Sequence, residues 1–216
     1  MSRAALIFLS AWVVGGCTPN PKPDEGVNRP EAAATRPVRV GRKTARDVAV
    51  AFVEAVRSGK PAEAGLMTAD PESEPFVQAM ARAIGGITQM CDAMRQRFPE
   101  AADQVAQMDS AATWLEQVRR GPVDTMNHLV MVKADDPLFR IALRPVGSGW
   151  KVDVAASGFA RDETLMSLAS APTAELARVT AREVREGRYD TIEQARAAFD
   201  RRLNGVTREG EGVGGR

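Results

Sequence analysis

Between Thr44 and Phe98 the apolar positions recur every three or four residues, the spacing that gathers side chains on one face of an α-helix. Val48, Phe52, Val53 and Val56 form the first stripe, opened by a capping-box pair, Thr44 and Asp47, and closed by Ser58-Gly59, which predicts a helix over 44–58. Glu63 to Met67 predicts a short helical turn, and Asp70-Pro71 breaks the chain after it. Phe76, Met80, Ile84, Ile87, Cys91, Met94 and Phe98 then predict a long amphipathic helix with Gly85-Gly86 in its middle. Each of these glycines costs up to about 1 kcal/mol relative to alanine, so a kink or a close packing contact is expected there. Pro99 opens a further helical stretch through Met108, and Ala111 to Arg120 predicts another, stopped by Gly121-Pro122.

Past Gly121 the period shortens. Thr125–Lys133, Leu138–Val146 and Trp150–Ala155 are β-favouring runs separated by the turn signals Asp135-Asp136-Pro137 and Gly147-Ser148-Gly149. They predict a three-stranded antiparallel meander, with Phe139, Ile141 and Leu143 on one face of the second strand and Arg140, Ala142 and Arg144 on the other. Helical patterns return over Arg161–Ala169, Thr173–Glu186 and Thr191–Leu203, the last opened by Thr191 and Gln194 and striped by Ile192, Ala195, Phe199 and Leu203. The expected fold class is α+β: one mostly helical domain over 43–203, with helices over 44–120, the meander over 123–156 and a helical C-terminal extension over 161–203. Residues 204–216, charged and glycine-rich, are expected to be a disordered tail.

Ahead of the folded region, Arg3 and the apolar run Ala4–Val14 have the make-up of a secretory signal, and Val14-Gly15-Gly16-Cys17 ends it with small residues before a cysteine. This resembles the lipobox of bacterial lipoproteins. The resemblance implies a signal peptide over 1–16, cleavage between Gly16 and Cys17, diacylglycerol on the Cys17 thiol and acylation of the new amino terminus. Membrane lipid is then a partner through Cys17, since at about 0.8 kcal/mol per buried methylene two or three acyl chains hold a protein durably at a membrane surface. The run is shorter than the roughly 20 residues of a comfortable transmembrane helix. Thr18 follows the cysteine; where sorting depends on an aspartate at that place, its absence implies the outer membrane. Residues 17–42, with Pro19, Pro21, Pro23, Pro30 and Pro37 among charged and small residues, read as the lipidated cysteine and a proline-rich tether.

Charge is nearly balanced, with 29 Lys and Arg against 28 Asp and Glu, so no long-range field attracts nucleic acid and none is expected as a partner. With two cysteines and one histidine, a zinc site of thiolates and imidazoles is excluded, and no metal or cofactor is expected. Cys91 reads as a buried small hydrophobe, and Met80, Met90, Met94 and Met108 as core or as an adaptable partner groove. No Gly-x-Ser-x-Gly elbow, phosphate-binding glycine loop or His-Glu-x-x-His pair is present, and Ser148 between two glycines reads as a hairpin turn. His128 shares strand parity with Asp124, Met126 and Val130, but side chains four apart on a strand stand about 13 Å apart, too far for a hydrogen bond. Arg140 and Arg144 are placed to clamp an anion such as a carboxylate, or to cover apolar surface with their stems. Arg140, Arg144 and His128 are therefore the candidate ligand-binding residues, and no catalytic residue is assigned.

The segments ARDVAVAFVEAVRSGK and GSGWKVDV, an opening helix and a closing hairpin strand, are similar to those of the nuclear transport factor two-like cone superfamily. That resemblance implies, over Thr44 to about Ser157, a curved sheet wrapped on a long helix. The expected function is a membrane-anchored envelope lipoprotein of noncatalytic type that binds an envelope protein or a small-molecule ligand. The alternatives are an enzyme whose cone-like pocket presents Arg140, Arg144 and His128 to substrate, and a helical envelope scaffold that docks through an apolar stripe.

Overall fold

The computed structural model describes residues 43–126, 129–161, 163–170 and 172–212; Cys17, the signal and tether segments and His128 lie outside the described residues. The domain is α+β and mostly helical. Helix α1 (Ala45–Arg57) starts at the expected capping box, Thr44 Oγ1 accepting from the Asp47 N–H while Asp47 accepts from the Thr44 N–H, and buries Ala45, Ala49, Phe52, Val53, Ala55 and Val56. After the short α2 (Pro61–Leu66) comes the long α3 (Glu74–Arg97), followed by α4 (Ala102–Met108) and α5 (Ser110–Arg120).

The sheet is a four-stranded antiparallel meander, β1 (Val123–Met126), β2 (Leu129–Val132), β3 (Ile141–Val146) and β4 (Gly149–Asp153), ordered β1-β2-β3-β4, where three strands were expected. The run read as one strand over Thr125–Lys133 folds back on itself, Met126 pairing with Leu129 and Val123 with Val132. Reversal also undoes the parity argument: Thr125 lies opposite Val130 and Asp124 opposite Met131, so Asp124 and Val130 are on different faces. The next expected strand begins late. Pro137–Phe139 forms a 3₁₀ turn capped by Asp136, whose Oδ1 accepts from the Leu138 N–H at 2.9 Å, and β3 starts only at Ile141. Ala142, expected on the polar face, is fully buried like Ile141 and Leu143. Its N–H donates to Ser157 Oγ at 3.0 Å, and that hydroxyl donates to Asp153 O, so a side chain continues the ladder where β4 ends. On the other edge of β4, Thr68 forms a parallel bridge to Val152, with Ala69 N–H donating to Val152 O and Val152 N–H to Met67 O, both at 2.8 Å, which satisfies that edge.

One face of the sheet packs on α1, and α5 packs on α1 and on the 3₁₀ turn that precedes β3. The space between them is filled: Phe52, Trp114, Phe139 and Phe159 form a chain of ring contacts with centroids 5.5–6.2 Å apart, and the Trp114 Nε1–H donates to Phe139 O. A second cluster lies at the far end of α3, where Met90, Cys91, Met94 and Phe98 meet Val105 of α4, Ala177, Ala181 and Val184 of α7 (Thr173–Arg185), and Ile192, Ala195 and Phe199 of α8 (Ile192–Gly212). Because α3 serves both clusters it is buried on more than the expected stripe: Val77, Ala81, Ala83, Thr88, Met90 and Ala93 are inside, whereas Phe76, Ile84 and Ile87 are only half-buried. The double glycine is the means. A β-carbon on Gly85 would lie 2.2 Å from Gly59 Cα, and one on Gly86 would lie 2.9 Å from Ala174 Cα, so adjacent residues let α1 and α7 approach α3 from different sides. Helix α6 (Glu163–Ser170) also rests on α3, adding Leu165, Leu168 and Ala169 to the cluster that holds Phe52 and Trp114.

The helical extension is longer than expected, since α8 continues past Leu203 to Gly212, over residues assigned to the tail. It is tied to α7 by Glu183, which accepts from Arg202 at 2.8 and 2.9 Å and from the Tyr189 hydroxyl. Among the described residues no helix is long and apolar enough to cross a membrane.

Candidate functional site

Of the candidate ligand-binding residues, Arg144 projects from β3 and is already ion-paired with Asp70, with Asp153 Oδ2 4.0 Å from its Nε. Arg140 stands just before β3, half-buried, its backbone bonded to Pro137 O and to the Gly158 N–H and its Nε buried without a hydrogen-bond partner. No hydrogen bond or shared counter-ion joins the two arginines. Asp124, the carboxylate considered for His128, is ion-paired with Lys133.

A different constellation forms where the ends of α1, α3 and α5 meet. Asp109 is the N-cap of α5, its Oδ1 accepting from the Ala112 N–H at 3.0 Å, and its side chain is only 1% exposed. Oδ2 accepts a short bond, 2.6 Å, from Arg95 Nη2 of α3, and Arg57 Nη2 of α1 approaches the same oxygen at 3.4 Å. A buried carboxylate is thereby compensated by a cap and two guanidinium groups. The hydrogen bond to Asp109 holds the Arg95 guanidinium more firmly protonated than usual. Beside this cluster the free Cys91 is fully buried, and burial first, then the Asp109 charge, push its thiol up to about 12. Such a thiol is inert at neutral pH. Among the described residues no three carboxylate, imidazole or thiol groups converge as metal ligands.

Arg57 also faces an open groove of about 430 Å³ between α1, α2 and α5, within the size range of small-molecule sites. Ala51, Glu54, Ala55 and Ser58 line it from α1 at successive helical spacings, Leu115 and Arg119 from α5, and Lys60, Glu63 and Met67 from around α2. Its rim is closed by ion pairs, Arg119 to Glu54 at 2.7 Å and Lys60 to Glu63 at 3.1 Å, all four side chains about half exposed. Surface pairs of this kind contribute little to stability, but they leave the rim charge-neutral.

Comparison finds no matching family model, no matching curated protein and no matching solved structure. The groove is thus read from this chain's own geometry. Sequence patterning followed the apolar face of α1 and passed over its neighbour; the signal was the small pair Ala51 and Ala55 flanking Glu54. Only the packing of α5 and α2 on either side turns that face into a concavity.

Proposed function

We propose that this chain is a bacterial envelope lipoprotein of noncatalytic, binding type, held to a membrane outside the cytoplasm by acyl chains on Cys17. The observation that carries the reading is the run from Arg3 through Val14-Gly15-Gly16-Cys17, a positive residue, an apolar stretch and small residues directly before a thiol. The proline-rich residues 18–42 supply a spacer of about 25–30 Å as a flexible coil, longer when extended, which suits display of a folded body clear of the headgroups. Thr18 after the cysteine points to the outer membrane in hosts that retain lipoproteins by an aspartate there. The ligand-sized groove of α1, α2 and α5, with paired charges at its rim and a largely polar lining, supports a binding role.

Intact-mass analysis of the membrane fraction of a bacterial host producing the wild type and Cys17→Ala tests the anchor. The expected result is a chain that starts at residue 17 and carries the mass of two or three acyl chains, absent in the variant. An unacylated chain in the soluble fraction for both proteins refutes it.

A further inference from the structure

We infer that residues 37–40, Pro-Val-Arg-Val, lie along the outer edge of β1 as a fifth strand, so that the chain leaves the domain from the margin of the sheet. The inference is independent of the lipid anchor and concerns where the tether begins.

One edge of the sheet is closed and the other is open. At β4, Thr68 pairs with Val152. β1 has only β2 beside it. The Lys133 N–H donates to Pro122 O, which makes that the hydrogen-bonded kind of pair, and the alternation of an antiparallel ladder then turns the N–H and C=O of Val123 and Thr125 away from β2. Among the described residues no backbone hydrogen bond meets these groups. The layer beneath stops short as well. Val132 and Val130, which lie opposite them on the face packed on α1, are 0% and 3% exposed, whereas Val123 is 41% exposed and Thr125 is exposed too. An occupant of this edge must therefore bring backbone pairing and apolar side chains on the α1 side.

Residues 37–40 meet both demands from close by. Arg46 Nη2 donates to Gly121 O at 2.7 Å, so the first turn of α1 stands one side-chain length from the residue that leads into β1, and the chain ahead of Thr44 sets out beside the open edge. Residues 41–43 can cover up to about 10 Å of the remaining distance. Val38 and Val40 are β-favouring and alternate with Arg39. With the two valines on the face of Val123, Arg39 falls on the face of Asp124, whose side chain is still 44% exposed beside Lys133. Pro37 suits an outermost strand, since its missing N–H offers nothing to a further chain. Covalent attachment also gives the segment an effective concentration of millimolar order at the edge, which favours it over a second copy or a foreign strand. With the strand seated, residues 18–36 remain as the spacer.

The test follows amide hydrogen exchange, resolved to single residues by mass spectrometry, in the full chain held in lipid nanodiscs. In the wild type the Val123 and Thr125 amides should exchange at least about tenfold more slowly than in Arg39→Pro/Val40→Pro, where one of two successive prolines must fall on the pairing side. Amides of β3 report whether the variant keeps the fold. Should they loosen, the wild type alone decides: residues 38–40 must include a protected amide, because a paired edge shields both strands. The protection must also be independent of protein concentration, as pairing within one chain requires. Fast exchange at Val123 and Thr125 in the wild type, protection that survives the two prolines in a folded variant, no protected amide in residues 38–40, or protection lost on dilution, the mark of a second copy on the edge, overturns the inference. Absence of acylation at Cys17 would leave this result untouched, and an open β1 edge in an acylated chain removes the fifth strand but not the anchor.

Discussion

A single methyl group at Gly85 should destabilise the molecule although it would stabilise an isolated helix. Replacing glycine by alanine inside a helix gains about 1 kcal/mol from backbone entropy alone. At Gly85 the added carbon would stand 2.2 Å from Gly59 Cα and 2.6 Å from Gly59 N, both backbone atoms that no rotamer change can move. Gly59 itself sits at φ +64°, a left-handed conformation that ends α1 and leads into α2, so relief must come from separating α1 from α3. That opens the cluster in which Phe52, Val53 and Val56 meet Val77, Met80 and Ala81. Overpacking of this kind costs about 1–3 kcal/mol, and backbone-on-backbone contact lies at or above the upper end. Net of propensity, Gly85→Ala should lose about 2 kcal/mol. Gly205 in α8, with nothing within 4 Å of its would-be β-carbon, supplies the control: Gly205→Ala should gain up to about 1 kcal/mol. Urea denaturation followed by far-ultraviolet circular dichroism reads both as shifts of midpoint at constant slope. A Gly85→Ala midpoint at or above that of the wild type would show that the α1–α3 approach is not close, and the packing argument would fail.

Two further outcomes follow from buried chemistry. Cys91, pushed up to about 12 from an ordinary 9.0 mainly by burial, should resist a thiol reagent at pH 8 in the native protein and react at once in denaturant. Because its pKa is raised on folding, the linked stability is complete below pH 9.0 and is lost as pH rises toward 12, a decline that Cys91→Ala should lack; rapid native labelling would contradict both statements. Glu183 is held below its ordinary 4.5, first by the hydrogen bond from Arg202 and also by that from Tyr189, against an opposing effect of burial. A depressed carboxyl contributes stability above the ordinary value and loses it as pH falls through the folded one. Urea midpoints measured against pH should therefore drop more steeply below pH 4.5 in the wild type than in Glu183→Gln, and parallel profiles would rule out that role.

The local elements of this fold are written in short-range patterns. The Thr44–Asp47 capping box, the three-four spacing of α3 and the Gly-Ser-Gly reversal before β4 each depend on residues within a turn or two of one another, and each stands where the pattern placed it. Cys91 as a buried thiol and Gly85-Gly86 as a close contact were also legible, because apolar spacing and the cost of glycine in a helix are local facts. The fourth strand was not. Thr125–Lys133 alternates as well as one strand does, and only pairing energy between Val123–Met126 and Leu129–Val132 decides that the chain folds back.

Tertiary structure alone decided the rest, since it concerns partners far apart in sequence. Arg144 looked like half of an anion clamp until packing brought Asp70 to it from the segment that borders β4. Arg57 and Arg95, on separate helices, meet at the one buried carboxylate of Asp109 only because α1, α3 and α5 pack their ends together. The sequence by itself determined the helical stripes and the β-forming region, and it alone carries the proposal of an anchor at Cys17. Which stripe faces which neighbour, how two cores share α3, and which charges are spent and which left over were determined by packing, because burial and ion pairing are properties of a surface and its partner together.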